Sequence, residues 1–102
     1  MRNWTEETFC SLDFETTGPD PKTARVVEYS ILTVNKEGTM LEEFYDLVNP
    51  EVLIPPEATA VHGIDNNKVQ NGIKTKELVS ILSIRIEESF AAKRPLVIFN
   101  VP

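Results

Sequence analysis

Asp13 and Glu15 stand two apart in the run Phe9-Cys10-Ser11-Leu12-Asp13-Phe14-Glu15-Thr16-Thr17-Gly18. The residues before them are apolar or small and predict a buried strand over about 8–14. Side chains at i and i+2 of a strand share a face. Both carboxylates therefore project together from the strand end, while Phe14 points the other way. Two like charges so close repel, and one tends to keep a proton. A divalent cation removes that conflict, and Mg²⁺ and Mn²⁺ prefer oxygen ligands of this kind. The run predicts half of a metal site, with Asp13 and Glu15 as ligands and as the catalytic carboxylates. A solvated acidic patch ahead of a polar turn is the alternative. Thr16 and Thr17 offer hydroxyls and backbone N–H groups to a substrate beside the acids, and Gly18 lets the chain turn sharply.

Three further positions carry weaker signals. His62, in Val61-His62-Gly63-Ile64, is the only histidine. A lone loop histidine is most often structural or solvated, but Gly63 permits tight geometry and Ile64 offers an apolar surface for a base or sugar. Asn100 follows the apolar run Leu96-Val97-Ile98-Phe99. If that run lies beside the first strand, Asn100 falls near the carboxylates; a strand-end cap accounts for it equally. Glu28 lies among apolar strand residues and predicts an ion pair or hydrogen bonds. Trp4 and Tyr45 read as packing or surface aromatics, and Cys10 as a buried, inert thiol.

The elements that position these residues follow from pattern. Thr17-Gly18-Pro19-Asp20-Pro21 breaks the first strand. A second strand is predicted at about 25–35, a hairpin turn at Lys36-Glu37-Gly38 and a third strand at about 39–48, together an antiparallel meander. Residues 49–74 form a long irregular stretch with helical turns near 57–61 and 65–70, and such stretches are often functional. A main helix is predicted at about 76–93. Thr75 is its cap and Leu78, Leu82, Ile86 and Phe90 its core face, widened by Val79, Ile81 and Ile84. Lys93, Arg94 and Pro95 end it. Leu96–Phe99 is then a fourth strand, returned parallel to the first.

The chain has 102 residues, 41% of them hydrophobic and 25% charged, which suits one small globular domain. No apolar stretch approaches a membrane span. One cysteine excludes a disulfide framework or a Cys-rich zinc site, and the polar N-terminus lacks a signal-peptide core. These features predict a cytoplasmic protein with no membrane partner. The net charge of −6 argues against holding duplex DNA by phosphate neutralisation. It leaves room for nucleic acid met through metal ions, which can reverse a site's local charge.

In this order the motifs resemble the DnaQ-like (DEDD) 3′→5′ exonuclease superfamily. Leu12-Asp13-Phe14-Glu15-Thr16-Thr17-Gly18 looks like its first motif and Val27-Glu28-Tyr29-Ser30-Ile31 like its second strand. Leu47-Val48-Asn49-Pro50, Ile54-Pro55 and Ala60-Val61-His62-Gly63-Ile64 match the approach to its substrate loop. Leu96-Val97-Ile98-Phe99-Asn100 looks like the start of its second motif. The resemblance implies a ribonuclease H-like α/β mixed sheet, two Mg²⁺ or Mn²⁺ ions, and stepwise hydrolysis from a single-stranded DNA or RNA 3′ end. It implies that Asp13 and Glu15 hold the metals, that the backbone of Thr16 meets the terminal nucleotide, that the His62 loop meets its sugar and base, and that Asn100 opens the second motif. Because the superfamily includes polymerase proofreading subunits, a polymerase or another replication or repair protein is an expected partner.

The second-motif aspartate would fall beyond Pro102, and the third motif, with its general-base histidine and last aspartate, further on. The chain is thus expected to be a partial domain with two of four metal-ligand carboxylates, inactive or nearly so by itself. It would also expose a strand edge open to homodimerisation. Two alternatives stand beside this reading. One is an exonuclease-like binding module that has lost its reaction. The other, less favoured, is a haloacid dehalogenase-type phosphotransferase with Asp13 as nucleophile; an antiparallel meander in place of a helical crossover speaks against it.

Overall fold

The computed structural model describes residues 8–91 and 96–100, with side chains as far as residue 98. Trp4, the N-terminal acids, the helix stop at Lys93, Arg94 and Pro95, and the side chain of Asn100 lie outside the described residues.

Three long strands form the expected meander: β1 (Thr8–Thr16), β2 (Val26–Asn35) and β3 (Met40–Asn49), each antiparallel to the next. Alternating burial along β2 is the period-2 signature of a sheet with one face on the core. The β2–β3 turn closes as its sequence predicts. Gly38 takes a left-handed φ of 86°, and the Asn35 side chain accepts the N–H groups of Glu37 and Thr39.

The stretch after β3 is ordered by two short helices, α1 (Pro56–His62) and α2 (Asn66–Val69). Pro56 sits at the first helical position, where its missing N–H has no intrahelical partner to lose. Gly63 ends α1 in the left-handed conformation, its N–H on Thr59 O at 2.7 Å. Asp65 caps α2 through the N–H of Lys68. These turns are held down by a small apolar cluster of Val27, Ile54, Ile64 and Val69.

The chain then makes a strand that the sequence reading did not find, β4 (Ile73–Lys74), parallel to the end of β3. Gly72 makes this approach feasible: a Cβ there would lie 2.6 Å from the Leu47 carbonyl oxygen. The last two elements are α3 (Thr75–Ala91) and β5 (Leu96–Asn100), which pairs parallel with β1 as expected. The full order is β4-β3-β2-β1-β5, so β1 is flanked on both sides.

Two expectations about α3 need correction. Thr75 is its first residue rather than its cap; the Glu77 carboxylate instead accepts the N–H of Lys74, half of a capping box. Of the expected core face, Leu78 and Leu82 hold, while Ile86 and Phe90 do not. Leu78 and Ser89 are buried and Ile81 and Leu82 pack on the main core, whereas Ile86 is exposed and Phe90 is 86% exposed. Val79 and Ile84 face solvent as well. An i+4 row drifts about 40° per step around a helix of 3.6 residues per turn, so Phe90 lies about 120° from Leu78. The true stripe runs through Arg85 and Ser89. The Arg85 guanidinium stacks on Phe44 at 3.8 Å and pairs with Glu88, and the Ser89 hydroxyl meets the buried Cys10 Sγ at 3.3 Å.

Candidate active site

The face of β1 that points away from α3 carries the acids. Cys10 and Leu12 are buried in the main core and Phe14 packs against it, which turns Asp13 and Glu15 to the opposite side. Asp13 is exposed and Glu15 half-buried. In register, Asp13 lies across from Ser30 and Glu15 from Glu28. Among the described residues neither carboxylate takes part in an ion pair or hydrogen bond. Glu28 does have a partner, accepting the hydroxyl of Tyr45. That hydrogen bond, with burial second, pushes the Tyr45 phenol up to about 12, so it remains a donor at neutral pH. On the core face burial, then the hydrogen bond to Asp46, raises the Tyr29 phenol well above its ordinary range.

Past Glu15 the register with β2 slips by one residue, and Thr16 pairs with Val26. This bulge ends the ladder and starts the loop of residues 17–25. Thr17 is buried, with its N–H on Arg25 O at 2.8 Å and its hydroxyl accepting the Arg25 N–H at 3.0 Å. Both groups therefore close the loop. The Thr16 hydroxyl donates to Gly18 O.

His62 reaches the same place from the end of α1. Its Nδ1 accepts the N–H of Ile64 at 3.1 Å. That makes Nε2 the protonated nitrogen, which donates to Thr16 O at 2.9 Å. The ring thus ties the α1 end to the strand that bears the acids. His62→Ala removes two hydrogen bonds to main chain, each worth about 0.5–1.5 kcal/mol net. We expect a destabilisation of about 1–3 kcal/mol, read as an earlier thermal unfolding midpoint, with His62→Gln recovering part of it.

The other candidates divide. Ile64 is buried against Val27, Ile54 and Val69, which commits it to packing. Asn100 lies across from Phe14 in the backbone register, level with the acids along β1. Between Glu15 and α1 opens a cavity of about 680 Å³ whose wall includes Thr16, His62, Val61, Leu53, Lys22 and Arg25. Leu53 and Lys22 escaped the sequence reading because loop residues carry no periodicity, Arg25 was read as the start of the second strand, and Val61 was read only as a neighbour of His62. The structure marks the two apolar ones by their exposure, 81% for Leu53 and 72% for Val61.

The donor chemistry fits a hard divalent cation in part. Two carboxylates share one strand face with no competing cation. Among the described residues, no set of three or more His, Cys, Asp or Glu side chains that could hold a metal is gathered.

A five-stranded mixed sheet with an antiparallel meander, a helical return and paired acids on its first strand, flanked on both sides, defines a ribonuclease H-like α/β fold. Exonuclease I superposes on 91% of the chain with a TM-score of 0.69 at 21% identity, and the chain covers 20% of it. The Escherichia coli enzyme in complex with a dA13 oligonucleotide superposes with a TM-score of 0.68, also at 21% identity, over 91% of this chain and 20% of that one. Residues 10–98 match the exonuclease family model RNase_T, and the chain belongs to that DnaQ-like exonuclease family. Curated relatives include the PolC-type DNA polymerase III of Thermotoga petrophila, 29% identical over 72 residues, and that of Thermotoga maritima, 28% identical over 74 residues. These alignments cover 71% and 72% of this chain, and the chain spans 5% of the length of each polymerase. Among the described residues no helix is long and apolar enough to cross a membrane.

Proposed function

We propose that the chain supplies the first part of a 3′→5′ exonuclease that trims single-stranded DNA or RNA ends by two-metal-ion hydrolysis with Mg²⁺ or Mn²⁺. One observation carries the reading: Asp13 and Glu15 share a face of β1, free of ion pairs among the described residues, and Glu15 borders a cavity large enough for a terminal nucleotide. Bound cations would supply a hydroxide near neutral pH and neutralise the leaving oxygen. The chain's own part is to hold and place. Asp13 and Glu15 would grip the ions, the bulge after Glu15 turns the chain away from them, and His62 fixes the carbonyl of Thr16 at the cavity wall.

The likeness to PolC-type polymerases supports a proofreading or replication role, a polymerase partner and a cytoplasmic setting. The open edge of β5, with exposed Phe90 and Ile98, supports self-association of the isolated chain.

Two carboxylates are too few for two ions, so the activity is assigned to a longer chain and the 102 residues alone are expected to be nearly inert. A 5′-labelled single-stranded oligonucleotide incubated with Mg²⁺ or Mn²⁺ tests both halves. The expected result is a shrinking ladder with the longer protein and an intact substrate with the 102-residue chain. Robust trimming by the short chain would refute its assigned inactivity; no trimming by the longer protein would refute the exonuclease reading.

A further inference from the structure

The structure describes seven lysine and arginine side chains. Four have partners: Lys68 bonds Gly63 O, Lys74 pairs with Glu51, Arg85 pairs with Glu88, and Lys36 also makes a contact. Among the described residues Lys22, Arg25 and Lys76 are left without a side-chain partner. Two of those three, Lys22 and Arg25, line the same cavity, the one that Glu15 borders. In a chain of net charge −6 this is an uneven distribution of free positive charge.

The cations are also held in place. The Asp20 side chain accepts the N–H of Lys22 at 2.9 Å. The Asp20 carbonyl accepts the N–H groups of Thr23 and Ala24. Arg25 is fixed at both backbone groups by Thr17. The loop is therefore bonded within itself while both charged side chains stay exposed. Such an arrangement limits the backbone entropy lost on gripping an anion. Asp20, on the same loop, and Glu57, on α1, border the cavity too.

We propose that Lys22 and Arg25 form the phosphate-binding wall of this cleft. They would hold phosphates upstream of the reacting one while Asp13 and Glu15 attend to the 3′ end. The proposal rests on the exonuclease reading for its ligand, a single nucleic acid strand. It adds a direction of approach: the strand enters across the 17–25 loop. Cations on this wall would also offset the repulsion between a polyanion and an acidic protein.

The test is fluorescence anisotropy of labelled oligo-dT and oligo-rU with the 102-residue chain over a series of salt concentrations. The chains compared are the wild type, Lys22→Ala/Arg25→Ala and Lys76→Ala, each checked by circular dichroism and thermal melting. Each lost single-strand phosphate contact should lower the slope of log affinity against log salt by about 0.7. The double variant is therefore expected to bind about tenfold more weakly at low salt, with a slope shallower by about 1.4. Lys76→Ala, on α3 away from the cavity, should match the wild type. An unchanged slope in the double variant would overturn the wall while leaving the reading based on Asp13 and Glu15 intact. Failure of the wild-type chain to bind either strand would also overturn it. Absence of trimming by the longer protein would sink the exonuclease reading without touching strand binding by Lys22 and Arg25.

Discussion

Asp13→Asn in the longer protein is expected to cut the rate of 3′ trimming by about a thousandfold or more. The substitution keeps the size and polarity of the side chain and removes one negative charge from a face that already carries Glu15 and Glu28. Metal ions contribute several kcal/mol of charge stabilisation to such displacements, and each 1.36 kcal/mol is a tenfold change in rate. The fold should tolerate the change, because Asp13 is exposed and its carboxylate has no partner among the described residues. Removing a charge from an acidic cluster can even raise the melting temperature slightly. The informative result is therefore lost trimming with unaltered melting, plus calorimetric loss of Mn²⁺ heat. Retained trimming would show that Asp13 is only part of a solvated patch.

Leu12→Ala should be the most damaging single change to the fold. Leu12 is 2% exposed, beside Tyr29, Val48 and Leu78. Truncating a buried leucine costs about 2–5 kcal/mol, a large share of the 5–15 kcal/mol that stabilises a typical domain. At about 4–8 °C per kcal/mol for a domain of this size, the melting midpoint should fall by roughly 8–40 °C. Phe90→Ser is the matched control. It removes a larger apolar side chain, yet Phe90 is 86% exposed, so stability should move by no more than about 0.5 kcal/mol. A large loss with Phe90→Ser would mean that another surface covers this side of α3.

These expectations also mark what the sequence made legible. The strands expected at about 8–14, 25–35 and 39–48, with the turn at Lys36-Glu37-Gly38, are enough to place the meander, and β2 shows most plainly that one buried face imposes a period of two. The acid pair follows from that period and needs no tertiary information. What escaped was whatever pattern cannot encode. A two-residue strand such as Ile73–Lys74 has no period, and only the clash a Cβ would suffer at Gly72 explains why it sits where it does. The second half of the α3 core face was misread because polar Arg85 and Ser89 occupy it, Arg85 stacked on Phe44 and paired with Glu88, and Ser89 bonded to Cys10. Ile64 was given to the substrate side although it fills the space beneath α1 and α2. His62 was legible as a residue of the site's neighbourhood, while its bond to Thr16 O, 46 positions away, required the fold.

The position of β1 between β2 and β5 has a kinetic corollary. Its backbone is laddered on both edges, so its amide protons should be among the slowest in the chain to exchange with deuterated solvent. Asp13 rides on that stiff rail, and its carboxylate can swing about its own bonds without the mainchain beneath it drifting. Were an ion captured there, reorganisation would fall to side-chain torsions and to the neighbouring loop, leaving the sheet itself at rest.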